Sequence, residues 1–232
     1  IILINKDMKV IICNNKIEEK IFREIRESIN SSKMNCKEFN VLLTGGNSIK
    51  KLYNYWSKMK LISNDKINYF YGDERCVSYL NKQSNYRMTK LTLFKGLDIK
   101  KLKINRIRGE SKDLSKEIRR YSEILPSQVD LTLLSMGSDA HIASIFPNSA
   151  SVIEYDKKII LTKDSTGIKR ITITPRIINS SKKIILICKG KEKGEILFNA
   201  LKNKNDKSKY PVLLARNAIC FIDKHASIPF VK

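Results

Sequence analysis

The sequence predicts an α/β fold: a mostly parallel sheet covered by helices on both faces. Three observations carry this. Short apolar runs of strand length recur along the chain, amphipathic stretches at helical spacing lie between them, and each run ends in a cluster of polar residues.

Ile17, Ile21, Phe22, Ile25 and Ile29 recur at helical spacing between Lys16 and Asn30 and predict a first amphipathic helix. Val41-Leu42-Leu43 then reads as a strand that stops at Thr44-Gly45-Gly46-Asn47-Ser48, and Leu52, Tyr53 and Trp56 predict a helix after that loop. A second run, residues 67–71, leads into Gly72-Asp73-Glu74-Arg75. A third, residues 129–134, leads into Met136-Gly137-Ser138-Asp139-Ala140-His141. A fourth, residues 183–188, ends at Gly190 and is followed by a helical pattern through Ile196, Leu197 and Leu201. In open parallel sheets ligands bind outside the carboxyl ends of the strands, so all four polar clusters are expected along one edge.

At 232 residues the chain can bury a sizeable core. No Pro/Gly/Ser-rich linker, low-complexity tract or repeat divides it, so residues 1–232 are expected to form one domain. The chain begins at Ile1 rather than Met, which fits one trimmed or cut from a longer polypeptide. The formal net charge of +22 favours anionic partners as a class. The lysines are scattered, as at Lys50-Lys51, Lys100-Lys101 and Lys182-Lys183, with little aromatic interleaving, so no nucleic-acid partner is expected. The apolar runs are too short to span a bilayer and the N-terminus lacks a signal-peptide pattern, so no membrane partner is expected either. Five scattered cysteines without a C-x-x-C pair read as reduced thiols of a cytoplasmic protein.

Taken singly, the polar clusters are ambiguous. Thr44 to Ser48 can present backbone N–H groups and a positive helix end to a phosphate, but a lone Gly-Gly is more often a tight turn, and the Walker A spacing is missing. Asp73, Glu74 and Arg75 can form a surface salt-bridge cluster, or the guanidinium can fork onto a phosphate. His141 is one of only two histidines; beside Asp139 it is either structural or a general base oriented by a carboxylate. Lys193 at a helix start can neutralise a phosphate or be one more solvated lysine. Two distant histidines without clustered cysteines or carboxylates make no metal motif.

Together these clusters resemble the 6-phosphogluconolactonase family, related more distantly to glucosamine-6-phosphate deaminases. The resemblance runs through Leu43-Thr44-Gly45-Gly46, Phe70 to Val77, Ser84-Asn85, Ile104 to Glu110, Asp130 to Pro147, Arg170-Ile171-Thr172, Gly190 to Lys193 and Asp223-Lys224-His225-Ala226. It implies a Rossmann-like α/β fold, no cofactor, and hydrolysis of 6-phosphoglucono-1,5-lactone to 6-phosphogluconate in the oxidative pentose phosphate pathway. It makes His141 the base that activates water, with Asp139 and Asp73 shaping the polar site. Thr44, Gly45, Gly46, Arg75, Arg170 and Lys193 would hold the substrate phosphate. Some members of the family are fused to a glucose-6-phosphate dehydrogenase, so fusion to or association with that enzyme is an open alternative.

The chain departs from the family pattern at two places. Gly45-Gly46-Asn47-Ser48-Ile49 replaces the usual Gly-Gly-Ser-Thr-Pro, and Asp139-Ala140-His141 replaces Asp-Gly-His. An ordinary negative φ is expected at Ala140, since the rest of the site is retained around it. The alternatives are a glucosamine-6-phosphate deaminase-like enzyme and a non-catalytic sugar-phosphate-binding domain. Arg75 stands where deaminases typically have an aromatic residue, and Ser144-Ile145-Phe146-Pro147 stands where they carry Asn-Glu-Pro after the His. A binding domain would not need His141.

Overall fold

The computed structural model describes residues 2–5, 8–34, 38–59 and 66–231, with side chains for 8–32, 38–59 and 66–231. Its elements in chain order are β1 (Ile2–Asn5), β2 (Met8–Cys13), α1 (Ile17–Met34), β3 (Phe39–Leu43), α2 (Asn47–Ser57), β4 (Ile67–Tyr71), β5 (Asp73–Arg75), α3 (Asn85–Leu91), β6 (Lys103–Asn105), α4 (Leu114–Ile124), β7 (Leu131–Ser135), β8 (Ile159–Lys163), β9 (Lys169–Ile173), α5 (Pro175–Asn179), β10 (Lys183–Cys188), α6 (Lys191–Lys202) and β11 (Ala218–Asp223).

Eight strands form one sheet in the order β1-β2-β11-β10-β7-β3-β4-β6. Only the β1–β2 pair is antiparallel; the other pairs are parallel. Successive strand residues point to opposite faces, and β4 is buried at every position, so both faces of the sheet are covered. From β3 the chain builds outward through β4 and β6, then returns to β7 on the other side of β3. The strand order therefore reverses between β3 and β7, the point at which open α/β sheets bind ligands.

The helices form for the reasons their spacing suggests. α1 buries Ile17, Ile21, Phe22, Ile25 and Ile29 and carries Glu18 and Glu19 at its positive first turn. α2 buries Ile49, Leu52, Tyr53 and Trp56, and the ring of Phe22 meets Tyr55 edge-on at 5.7 Å, joining the two helices. Burying each such side chain contributes on the order of 1.5–3 kcal/mol before the entropy cost of ordering it.

Two fully buried tyrosines finish the strands that lead to the polar edge. The Tyr53 hydroxyl accepts from Thr44 N–H at 3.0 Å and donates to Thr44 C=O at 2.9 Å. The Tyr121 hydroxyl does the same for Tyr71, at 2.7 and 2.9 Å. Each satisfies a backbone pair at the end of its strand, where β3 and β4 give way to loops.

A second, three-stranded antiparallel sheet in the order β5-β9-β8 goes beyond the sequence reading. Asp73-Glu74-Arg75 is a short strand rather than only a polar strand end, separated from β4 by Gly72 alone. Gly72 N–H donates to Leu43 C=O and Gly72 C=O accepts from Ile173 N–H, both at 2.8 Å, so this residue ties the small sheet to the end of the large one. Strands β1, β2, β6 and β11 also went unread in the sequence.

Candidate active site

The four polar clusters converge at the carboxyl edge of the large sheet. A pocket of about 250 Å³ is lined by Thr44, Gly45 and Gly46 after β3, Asp73 and Arg75 of β5, His141 after β7, Arg170 of β9 and Lys193 of α6. Every sequence-predicted site residue except Asp139 lines it, and Asp139 bonds the His141 ring.

Asp139 Oδ1 lies 2.5 Å from His141 Nδ1 and accepts His141 N–H at 3.2 Å. Burial pulls the Asp139 carboxyl up, but the hydrogen bond and charge of His141 outweigh it and hold the group below the usual carboxylate range. An ionised Asp139 accepts a proton-bearing Nδ1, which leaves the Nε2 lone pair as the basic position. The ring also packs on Phe146, with centroids 5.0 Å apart.

The loop that carries this pair is tightly specified. Gly137 N–H donates to His141 C=O at 2.9 Å. A Cβ on Gly137 would stand 2.2 Å from His141 Cε1 and 2.3 Å from Nδ1, so no other residue fits there without moving the imidazole. Ala140 has φ +70°, which corrects the ordinary negative value expected from the sequence. Its carbonyl accepts Val212 N–H at 3.0 Å, so the left-handed conformation is held from outside the loop.

Asp73 is nearly fully buried and both its oxygens are engaged. Oδ2 accepts from Ser144 Oγ at 2.7 Å and Oδ1 from Asn85 Nδ2 at 3.1 Å, while Asn85 Nδ2 also reaches Asp73 C=O at 2.9 Å. Asp73 thus ties the histidine loop to β5. Glu74 serves the start of α3: it accepts from the N–H groups of Arg75, Asn85 and Tyr86 at 2.7–2.8 Å and from Ser84 Oγ at 3.0 Å. Burial nonetheless raises its carboxyl, with those backbone bonds acting against the rise.

Three cations surround the pocket. Arg75 Nη1 donates to Gln83 C=O at 2.5 Å, while its buried Nε has no partner among the described residues. Arg170 is set by Asp164, which accepts from its Nε at 2.9 Å and its Nη2 at 2.6 Å, and its guanidinium lies over Phe146. Lys193 Nζ rests on Met136 C=O at 2.6 Å. Facing them, α2 begins at Gly46 with φ +96°, no side-chain cap and no acid in its first turn, leaving its N–H groups and positive end for an anion. Gly45 could not be larger, because a Cβ would stand 1.9 Å from Asn85 Oδ1.

Of the other lining residues, Asn47, Met136, Gly137 and Ser138 lie in the polar clusters without a role of their own in the sequence reading, and Ser135 and Ala143 fall outside those clusters. The sequence reading also gave no role to Asn85, Ser144 or Asp164. Asn85 and Ser144 lay inside the quoted motifs, but only the fold shows that they meet at Asp73. Among the described residues no group of three or more His, Cys, Asp or Glu could hold a metal ion, and no helix is long and apolar enough to cross a membrane.

Comparison with known proteins shows what the chain and its fold are similar to. The family model described as glucosamine-6-phosphate isomerases/6-phosphogluconolactonase matches residues 14–221. A 6-phosphogluconolactonase of Treponema pallidum (strain Nichols) is 32% identical over 166 residues, covering 67% of this chain and 69% of the relative. One of Haemophilus influenzae is 29% identical over 198 residues, covering 80% of this chain and 85% of the relative. The crystal structure of a 6-phosphogluconolactonase from Thermotoga maritima superposes with a TM-score of 0.82 at 23% identity, over 94% of this chain and 100% of that one.

Proposed function

The chain belongs to the glucosamine-6-phosphate isomerase/6-phosphogluconolactonase family, and from that premise we propose that its pocket hydrolyses 6-phosphoglucono-1,5-lactone by general-base catalysis. The enzyme is a 6-phosphogluconolactonase of the pentose phosphate pathway. The observation that carries the assignment is the Asp139–His141 pair on a pocket ringed by Arg75, Arg170 and Lys193.

In this reading the phosphate sits among the three cations and the N–H groups of the Gly45-Gly46 turn, which supply charge and directed donors. Anchoring the phosphate places the C1 carbonyl near His141. Nε2 takes a proton from water as its oxygen attacks C1. The tetrahedral intermediate then expels the ring oxygen, and the imidazolium returns the proton to it. Asp139 steadies the imidazolium while it is charged, and the product acid ionises in solution. Asp73 positions the histidine loop rather than touching the reacting atoms.

The chain is read as one domain, supported by a single hydrophobic core that runs from Met8 to Ala226. Among the described residues four cysteines are free, three of them buried, which supports a reducing compartment such as the cytoplasm. An associated or fused glucose-6-phosphate dehydrogenase is the proposed source of the lactone. The test is a coupled assay that generates lactone in situ and compares the parent protein with His141→Ala. Equal rates above the spontaneous background would remove His141 from the mechanism.

A further inference from the structure

We propose that the groove between α4 and β8 is a docking surface for an extended acidic segment of a partner protein, which adds to the small sheet as a fourth strand on β8. The groove has a volume of about 920 Å³ and shares no lining residue with the active-site pocket. One wall is α4, through Ile118 and Arg119; the other is β8 itself.

The backbone bonds around β8 fix which way its residues face. Lys158 C=O accepts from Thr174 N–H, and Asp164 N–H donates to Ile168 C=O, so the even-numbered residues bond towards β9. Ile173 N–H turns the other way, to Gly72 on the β5 side, which makes the Ile159–Ile173 pair the non-bonded kind. The N–H and C=O groups of Ile159, Leu161 and Lys163 therefore face away from β9 and have no backbone partner among the described residues. β8 is an outer strand, and Leu161 is 42% exposed. An unpaired row of donors and acceptors beside exposed apolar surface is the template that strand addition uses.

Charge says what kind of strand. Arg119, Lys157, Lys158, Lys163 and Arg176 line the groove against two carboxylates, Glu154 and Asp156. Glu154 is taken by Lys157 at 3.9 Å. Lys158 Nζ is spent on the carbonyls of Ser122 and Leu125, and Arg176 on the carbonyl of Asp156. Among the described residues none of Arg119, Lys158, Lys163 or Arg176 has a carboxylate in ion-pair range. A second copy of this chain would bring the same cations against themselves and is disfavoured. A single-stranded nucleic acid could answer the charge but not the alternating N–H and C=O groups of the strand edge.

The test uses the full chain and a fluorescein-labelled octapeptide alternating glutamate and valine, followed by fluorescence anisotropy. Saturable binding is expected, weakening as salt is raised. Methylating the alternate amides that face β8 removes backbone bonds without touching the protein and should weaken binding by roughly tenfold. Arg119→Glu, on the exposed side of α4, should weaken it similarly while lactone hydrolysis stays intact. Leu161→Pro blocks an N–H that β9 does not use and should abolish binding. The proposal is overturned by no saturable binding, by equal binding of the octapeptide alternating lysine and valine, or by indifference to amide methylation. Displacement of the peptide by an oligothymidine in preference to unlabelled peptide would reassign the groove to nucleic acid, and a dimer abolished by Leu161→Pro would reassign it to a second copy.

Discussion

With Nδ1 of His141 held by Asp139 at 2.5 Å, only Nε2 is left to meet a water molecule. His141→Ala should therefore lower kcat by about 10²–10⁴-fold with KM near that of the parent, because the phosphate contacts lie elsewhere. Steady-state kinetics check this, and a variant that kept kcat and lost only KM would make His141 a binding residue. Gly137→Ala is expected to mimic that loss in a folded protein, since its Cβ would enter the imidazole ring position 2.2 Å from Cε1. Native-like circular dichroism with unchanged kcat would show that the ring has another place to go. Ala140 pulls in two directions: alanine at φ +70° costs roughly 1–2 kcal/mol, while glycine would cost up to about 1 kcal/mol through the unfolded chain. Ala140→Gly should leave stability within about 1 kcal/mol and kcat unchanged, because the histidine loop is already formed around alanine. Urea titration and kinetics read both, and a several-fold rise in kcat would show that strain at Ala140 is held against the base. The sequence pointed to the pairing of Asp139 with His141 but not to this backbone, because the sign of φ is set by bonds to residues as distant as Val212.

The elements legible in the sequence are those whose own residues specify them. β4 and β10 read as largely apolar runs because both their faces are buried, and α1 and α2 show helical spacing because each buries one stripe. The small sheet was not legible, for the opposite reason. β5 is three residues long with two carboxylates, and β8 runs from buried to exposed without clean alternation, so neither carries a periodic signal of its own. β5 pairs with β9, far along the chain, and it is this sheet that delivers Arg75 and Arg170 to the pocket. Asp164, at the end of the β8–β9 hairpin, fixes Arg170. Burial raises the Asp164 carboxyl, but hydrogen bonds from Thr166, Arg170 and Ile168 N–H outweigh it and hold the group well below its ordinary range. Its folded pKa is thus below its unfolded one, so its contribution to stability is full above the ordinary aspartate value of about 4 and is lost as pH falls through the lower folded value. The stability gap between the parent and Asp164→Asn should be widest near neutrality and close below about pH 4. Paired melting curves across that range measure it, and a gap independent of pH would mean that the carboxylate charge is not what holds the hairpin.

For the molecule as a whole, the reversal of strand order between β3 and β7 puts the glycine loop and the histidine loop side by side, and the second sheet closes the site from β5 and β9. Around that site lies a chain of formal net charge +22. The charge acts on substrate at two ranges. Outside the pocket, out to a Debye length of roughly 8–10 Å at ordinary salt, the mean positive field raises the local concentration of any dianion, and added salt shortens that reach. Within the pocket, the proposed anchors Arg75, Arg170 and Lys193 would meet the phosphate directly, and salt weakens such contacts mainly when its anion competes for the same place. The two ranges separate experimentally. With 6-phosphogluconolactone, kcat/KM should fall as sodium chloride is raised, through KM, with kcat steady, because Nε2 of His141 acts after the phosphate is seated. Sulfate at matched ionic strength should raise KM further, as a competitive inhibitor of the anion site. Arg75→Ala and Lys193→Ala should lose much of this extra sulfate effect while keeping the chloride dependence, since either removes only one charge from the wider field. The unphosphorylated gluconolactone should show a low kcat/KM that depends little on either salt, having no charge to steer or to displace. Equal salt slopes for the two lactones would mean that the cations around the pocket are not the phosphate anchor, whatever the net charge of the chain.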